Sequence, residues 1–144
     1  MFRRLVGLTS LVFVVSLMTL AARTDRAVAA QGNGWTIPDD AKTIKNPLTV
    51  DANLVEAGKA LFKSKCQRCH GPGGLGDGPD GDPDAQEDMN LTVAKRAANN
   101  PDGVIFYKIS NGRKKPKMPT FKDDLTKDQI WTIVSFVQTL RKTS

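Results

Sequence analysis

Two cysteines and a histidine stand together in the middle of the chain, in the segment Cys66-Gln67-Arg68-Cys69-His70. The C-x-x-C-H spacing is the one at which a haem is attached covalently to protein. The cysteines are one helical turn apart, so each can form a thioether with a haem vinyl group while His70 binds the iron. The chain has one histidine in total, so a second histidine cannot be the other axial ligand. The pattern predicts a single haem c, with iron, bound through Cys66, Cys69 and His70.

Three other kinds of site use a close pair of cysteines: a dithiol redox pair, a structural zinc site and a disulfide. A thioredoxin-like dithiol lies beside a βαβ pattern, which this sequence lacks. Structural zinc usually takes four protein ligands, whereas the cysteines and the histidine here provide three. We therefore favour the haem interpretation over these alternatives.

An acidic run follows the cysteines, between Asp77 and Asp88. An EF-hand loop that began at Asp80 would have Ala85 where glycine is required and Leu91 where the bidentate glutamate is required. The run therefore predicts a solvated loop and not a calcium site.

The N-terminal segment predicts export. Arg3 and Arg4 precede an apolar stretch at residues 5–22, and small residues at positions 27–30 suit a cleavage site. These features are typical of a secretory signal peptide. The apolar stretch approaches the ~20 residues of a membrane span, so an uncleaved anchor is the alternative. We expect a periplasmic protein that contacts the membrane only if this segment is kept.

The composition argues against a nucleic-acid partner. The 144-residue chain has 21 basic and 15 acidic residues, a formal charge of +6. Cleavage after residue 30 removes four arginines and one aspartate, and the remaining 17 basic and 14 acidic residues give +3. So small an excess does not indicate nucleic-acid binding. The remaining length suits one small domain, for which a buried haem would supply much of the apolar core.

Local signals predict where the elements begin and end. Residues 31–50 predict an extended arm that packs against the domain without forming its core. Asp51 is the predicted cap of a first helix, which leads into Cys66. Residues 71–88 predict a loop dense in glycine, proline and aspartate, and residues 89–98 a short helical stretch.

Two helices are predicted in the last third of the chain. Asn100 is the expected N-cap of a short helix over Pro101 to Ser110, and Asn111-Gly112 is its predicted stop. Thr126 and Gln129 form a predicted capping box that opens the last helix. The apolar stripe of that helix consists of Ile130, Ile133, Val134, Val137 and Leu140. No segment shows a strand pattern, so the predicted fold class is all-α, with three to five helices.

Several short motifs together resemble the class I c-type cytochromes with one haem. They are Ala57-Gly58-Lys59-Ala60-Leu61-Phe62, Gly76-Asp77-Gly78-Pro79, Asp102-Gly103-Val104-Ile105-Phe106 and Met118-Pro119-Thr120-Phe121. The chain is similar both to periplasmic electron carriers and to the cytochrome modules of oxidases and dehydrogenases. The resemblance implies that residues 51–144 form a cytochrome c domain whose first and last helices cross around the haem. Gly58 would permit their close approach, with Phe62 and Phe136 packed at the crossing.

The iron of an electron carrier needs a second axial ligand, and methionine is the residue type that the sequence leaves for it. Met118 lies after a basic segment and before a proline, in a loop unsuited to a buried helix face, and it matches the ligand position of the resembled family. Met89 is the alternative. For the other ring nitrogen of His70, the resemblance suggests the carbonyl of Pro79, and the carbonyl of Pro72 is the alternative.

Ligation by histidine and methionine leaves no open position for a substrate, so we expect electron transfer and no enzymatic activity. A haem peroxidase or a gas-binding cytochrome is the alternative if Met118 does not bind the iron. The expected partners are redox proteins: a dehydrogenase, a cytochrome complex or a terminal oxidase. The predicted docking rim consists of Arg113, Lys114, Lys115 and Lys117. The acidic loop that contains Asp82 and Asp84 is expected to face away from the partner.

Overall fold

The computed structural model describes residues 28–31 and 34–141 of the chain. The predicted signal peptide and apolar stretch up to residue 27 lie outside the described residues. The five α-helices of the described part are α1 (Ala52–Lys65), α2 (Gln67–His70), α3 (Gln86–Met89), α4 (Asp102–Asn111) and α5 (Lys127–Thr139). Short 3-10 turns occupy Asp39–Lys42, Pro83–Ala85 and Ala94–Arg96. None of the helices in residues 28–31 and 34–141 is long and apolar enough to cross a membrane.

The caps of the first and last helices agree with the sequence prediction. The Asp51 carboxylate accepts a hydrogen bond from the backbone N–H of Leu54 at 2.8 Å, which satisfies one of the unpaired donors at the start of α1. Thr126 and Gln129 form both bonds of the capping box at the start of α5. The two helices therefore begin where their local sequences direct.

Helices α1 and α5 cross in close contact, as predicted. A Cβ atom at Gly58 would collide with the carbonyl oxygen of Thr132 and would lie 2.9 Å from the Cβ atom of Phe136. The rings of Phe62 and Phe136 pack at this contact with their centroids 5.2 Å apart. Glycine at position 58 thus sets the distance between the helices that form one side of the domain.

The N-terminal arm differs from the prediction. Its strand β2 (Trp35–Pro38) pairs antiparallel with β1 (Val28–Gln31), most of which belongs to the predicted signal peptide at residues 1–30. Trp35, Ile37 and Ala41 are buried, and with Val104 of α4 they form a second hydrophobic cluster. The expectation of an arm outside the core, without strands, is therefore wrong. The sequence signal was weak because β2 is only four residues long, at the short end of the roughly 4–8 residues over which alternation indicates a strand.

Two other boundaries also move. Of the helical stretch predicted for residues 89–98, the structure has only the 3-10 turn Ala94–Arg96, and helix α3 ends at Met89. The N-cap of α4 is Pro101 and not Asn100. The side chain of Asn100 instead donates to the carbonyl of Arg96 at 2.9 Å and accepts from the Lys108 ammonium at 2.6 Å.

Candidate haem-binding site

One cavity gathers the residues whose chemistry the sequence singled out. Its lining includes Cys66, Cys69 and His70 from the end of α1 and from α2, and Met118 from the loop after α4. The apolar part of the lining comprises Phe62, Leu91, Ile105, Ile109, Phe121, Ile133 and Val137. Two thiols, an imidazole and a thioether around an apolar cavity form the donor set that a covalently attached haem requires. The residues therefore fit haem c.

The junction between α1 and α2 fixes the C-x-x-C-H motif. The backbone N–H of Cys66 donates to Phe62 at 2.8 Å, and the Cys66 carbonyl accepts from Cys69 and His70 at 3.2 and 3.0 Å. The ring of Phe62 also lies near that of His70, with centroids 6.3 Å apart. One helical turn thus presents both thiols and the imidazole to the same cavity.

The Gly-rich loop after the motif folds back onto it. The backbone N–H of Gly76 donates to the carbonyl of His70, and that of Asp80 to the carbonyl of Arg68, both at 2.8 Å. The Asp80 carboxylate also pairs with the Arg68 guanidinium through two hydrogen bonds of 2.5 and 2.9 Å. This pair lowers the pKa of Asp80, but it is exposed and so contributes little to stability.

Cys66 does not have the character of a reactive redox thiol. Cys66 and Cys69 are free cysteines. Burial, with a smaller contribution from the neighbouring Cys69, raises the pKa of Cys66 to about 12, whereas reactive thiols of that class have a lowered pKa. Among residues 28–31 and 34–141, no three side chains of the metal-binding types His, Cys, Asp and Glu gather into a metal site.

His70 is oriented by a backbone carbonyl, but not by the predicted one. Its Nδ1 atom lies 2.8 Å from the carbonyl oxygen of Met89. A carbonyl can only accept, so Nδ1 carries the proton and Nε2 keeps the lone pair that a metal needs. Burial lowers the pKa of His70, and the bond to Met89 partly opposes that change. Pro79 and Pro72 are exposed and absent from the cavity lining, so the structure replaces Pro79 by Met89 in this role.

The loop that carries Met118 is closed by backbone hydrogen bonds. Arg113 and Met118 exchange two of these bonds, each 2.9 Å long. Gly112 has a φ of 59°, and a Cβ atom there would collide with the Met118 carbonyl, so glycine is required before the loop. The Thr120 hydroxyl donates to the carbonyl of Ser110 at 2.6 Å, which ties the following segment to α4. Met118 is thereby held against both hydrophobic clusters.

Arg113 faces inward and not outward as the docking prediction required. Its side chain is 9% exposed and lines the cavity. The guanidinium carbon lies 4.9 Å from the ring centroid of Trp35, and the Lys108 ammonium lies 5.1 Å from the same centroid. Neither contact had a sequence signal, because Trp35 was expected to lie outside the core.

The acidic and basic loops also lie closer together than expected. Asp82 and Asp84 line one groove together with Lys114, Lys115 and Lys117. The acidic loop that we expected to face away from the partner thus lies next to three lysines of the predicted docking rim. The two loops form the two sides of a single surface.

Known proteins agree with this geometry. The family described as cytochrome C oxidase, cbb3-type, subunit III, matches residues 53–137. The chain belongs to this family of c-type cytochromes. Its fold is the small all-α cytochrome c fold, its cofactor is covalently bound haem c with iron, and its chemistry is haem-based electron transfer. A comparison with curated protein sequences found no match.

Solved structures that resemble the chain include other c-type cytochromes. The KustC0563 c-type cytochrome is 27% identical, with a TM-score of 0.49, and the match covers 59% of this chain and 98% of that one. Cytochrome CL from the marine methylotrophic bacterium Methylophaga aminisulfidivorans is 26% identical, with a TM-score of 0.50, over 64% of this chain and 56% of that one. The Kuenenia stuttgartiensis reducing HAO-like protein complex Kustc0457/Kustc0458 is 24% identical, with a TM-score of 0.53, over 75% of this chain and 52% of that one. This last likeness is one of fold.

Proposed function

We propose that the protein carries single electrons between redox proteins, with His70 and Met118 as the two axial ligands of one haem c. The observation that supports this most strongly is the position of Met118 on the lining of the cavity that also contains Cys66, Cys69 and His70. When bound, haem supplies the one-electron Fe(II)/Fe(III) couple. The chain's own residues attach it, orient it and shield it from water.

Cys66 and Cys69 provide the attachment. Each thiol would hold the haem through a thioether to one of its vinyl groups. The two cysteines belong to one helical turn, which suits attachment of two neighbouring vinyl groups.

The position of Met89 favours Met118 as the sixth ligand. The Met89 carbonyl holds the Nδ1 atom of His70, on the side of the ring away from the Nε2 lone pair. The methyl group of Met89 lies against Gly81, 3.1 Å from where a Cβ atom of that glycine would be. Met89 also lines the cavity, but its carbonyl is bound to His70 and its methyl group lies at Gly81, so we assign it to the His70 side of the cavity. Met118 is on a different loop and would supply the second axial ligand.

Occupation of both axial positions removes the open site that a haem enzyme needs, so we propose a carrier without enzymatic activity. An axial methionine favours the ferrous state and raises the reduction potential. The buried apolar residues around the cavity, including Ile105, Ile133 and Val137, keep water from the iron.

We further propose that the protein acts in the periplasm after export by the signal peptide at residues 1–30. Residues 51–144 would then form the cytochrome domain, with residues 31–50 as an arm. The family description names an oxidase subunit, and the partner classes proposed from sequence remain a dehydrogenase, a cytochrome complex or a terminal oxidase.

Docking is proposed to use the outer face of the loop that presents Met118. Lys114, Lys115 and Lys117 are exposed there, and Lys117 lines the haem cavity as well as the groove. Asp82 and Asp84 on the other side of the groove reduce the field of the lysines. An acidic partner would be attracted to this side of the molecule, at a rate that both loops control.

Carbon monoxide distinguishes the carrier from a gas-binding or peroxidase-type haem protein. The holoprotein, made in a host with haem-attachment machinery, is reduced, and its visible spectrum is recorded before and after addition of carbon monoxide. A carrier with both axial positions filled gives the same spectrum twice. A carbon monoxide adduct of the wild type would favour the alternative function.

A further inference from the structure

The charged residues that line the haem cavity are strongly unbalanced. The lining includes one carboxylate, Asp88, and six cationic side chains: Lys65, Arg96, Lys108, Arg113, Lys117 and Arg141. The Asp88 carboxylate lies 3.9 Å from the Arg96 guanidinium and 3.8 Å from that of Arg113, so it is already shared between two arginines. Glu87, outside the lining, pairs with Arg96 at 3.1 Å. The lining thus combines apolar side chains with cations that outnumber the anions beside them.

Lys108 is the cavity-lining cation whose surroundings most clearly favour a bound anion. Its ammonium donates to the amide oxygen of Asn100 at 2.6 Å, and none of the ion pairs formed within the described residues includes it. Burial, followed by repulsion from Arg113 and Arg141, lowers the pKa of Lys108 to about 8. Asp88 opposes this change and Arg96 adds to it. A half-buried amine in such surroundings is stabilised by an anion placed beside it.

The N-terminal arm holds Lys108 and Arg113 together. Trp35 is 6% exposed, and its ring has the ammonium of Lys108 at 5.1 Å and the guanidinium of Arg113 at 4.9 Å. Such contacts with an aromatic face attract cations and fix two like charges near each other. Trp35 lies outside residues 53–137, the part of the chain that the family match covers.

We propose that Lys108 and Arg113 bind the propionate carboxylates of the haem, and that Trp35 of the arm is the positioning residue for both cations. This inference rests on the proposed function. A haem has an apolar ring and two carboxylates at one edge, so it matches a cavity that is apolar on one side and cationic on the other. Arginine forms paired hydrogen bonds with a carboxylate, and lysine supplies a point charge.

The test compares inward and outward cations in the holoprotein. Lys108→Met and Arg113→Leu remove the proposed propionate partners, and Lys108→Arg keeps the charge. Lys114→Met and Lys115→Met are the matched controls, because both lysines are exposed and neither lines the haem cavity. The readouts are the propionate bands in the resonance Raman spectrum and the midpoint potential measured over a pH series.

We expect Lys108→Met and Arg113→Leu to shift the propionate bands and to lower the midpoint potential, because a cation near the haem favours the ferrous state. Their potentials should also vary with pH over a range in which that of the wild type is constant, since unpaired propionates have a higher pKa. Lys108→Arg should restore both properties. Trp35→Leu should produce a smaller shift of the same sign.

The inference is overturned if Lys108→Met and Arg113→Leu have the propionate bands and potentials of the Lys114→Met control. If either variant fails to accumulate as holoprotein, Trp35→Leu is compared with Lys108→Arg and the wild type by the same two readouts. Propionate bands and potentials of Trp35→Leu that equal those of the wild type would then overturn the inference. Failure of the proposed function looks different: the wild type then contains no covalently bound haem, or its iron binds carbon monoxide. A change confined to the salt dependence of electron transfer would assign these cations to partner docking and would also overturn the inference.

Discussion

Different residues have different proposed roles at the haem-binding site. In the proposed site, Cys66 and Cys69 would attach the haem and His70 and Met118 would bind its iron, while the carbonyl of Met89 holds the ring of His70. Each role depends on a different property: a thiol for addition, a lone pair for ligation and a carbonyl for orientation. A substitution at one position should therefore affect one property and leave the others measurable.

Replacing both cysteines tests the attachment. We expect Cys66→Ser with Cys69→Ser to abolish covalent binding, because a hydroxyl does not replace a thiol in the addition to a vinyl group. Each single replacement should leave at most one thioether. Extraction with acidified acetone measures this directly, since the wild-type haem should stay with the protein. Release of the wild-type haem by this treatment would contradict the proposed attachment.

The sequence identified the residues whose side chains are chemically distinctive, and it missed those whose role is positional. Cys66, Cys69 and His70 could be chosen by type and spacing, and Met118 by elimination and resemblance. The partner of His70 could not be chosen, because every residue has a backbone carbonyl and only the folded chain shows that Met89 offers it. Arg113 was placed in the docking rim because the sequence does not show which way its side chain points. Its inward direction depends on a contact with Trp35, which is distant in the sequence.

Among the helices, the contact between α1 and α5 sets the size of the haem cavity. Phe62 of α1 and Ile133 and Val137 of α5 line that cavity, and the same helices touch at Gly58. Any change that separates α1 from α5 should therefore also change the surroundings of the haem.

Gly58→Ala tests this contact. Alanine would favour an isolated helix by ~1 kcal/mol over glycine, but its Cβ atom would collide with the Thr132 carbonyl. We expect the collision to dominate and the free energy of unfolding to fall by ~1–3 kcal/mol. Thermal unfolding of the holoprotein measures the change, with Lys59→Ala, at an exposed position of α1, as the control. A Gly58→Ala protein as stable as the wild type would show that moving the helices apart costs no more than the ~1 kcal/mol that alanine gains in helix propensity.

Helix ends were predictable where the capping side chain acts within its own turn. Asp51 and Thr126 bind backbone donors three residues away, so the local sequence contains the whole signal. The strand β2 and the burial of Ile37 depend on contacts with α4, which is distant in the sequence. Asn100 was assigned as a cap for its residue type, but its side chain instead binds Lys108.

For the whole molecule, the position of the charges matters more than their sum. Cations point both into the haem cavity and out from the loop that presents Met118, and the acidic loop lies across a groove from the outward set. The electrostatic field at this surface is therefore the sum of two opposing contributions, from the exposed lysines and from the nearby aspartates. Long-range attraction of a partner should respond to changes in either group.

A salt series tests this arrangement with small redox probes of opposite charge. Oxidation of the reduced protein by the ferricyanide anion should slow several-fold for Lys114→Glu with Lys115→Glu, because both lysines are exposed beside the haem cavity. Asp82→Lys with Asp84→Lys should accelerate the reaction. Both effects should shrink once the Debye length falls below ~10 Å, and the order should reverse with the tris(phenanthroline)cobalt(III) cation. Stopped-flow rates that are equal for all variants and independent of salt would assign the lysines to a merely solvated surface.

The central claim is that sulfur from Met118 binds the iron opposite His70. X-ray absorption at the iron edge, on the oxidised and reduced holoprotein, detects a sulfur neighbour directly. We predict one iron–sulfur distance in both oxidation states of the wild type and of Met89→Leu, and none in Met118→Ala. Loss of the iron–sulfur signal in Met89→Leu together with its retention in Met118→Ala, or its absence from the wild type, would contradict the account.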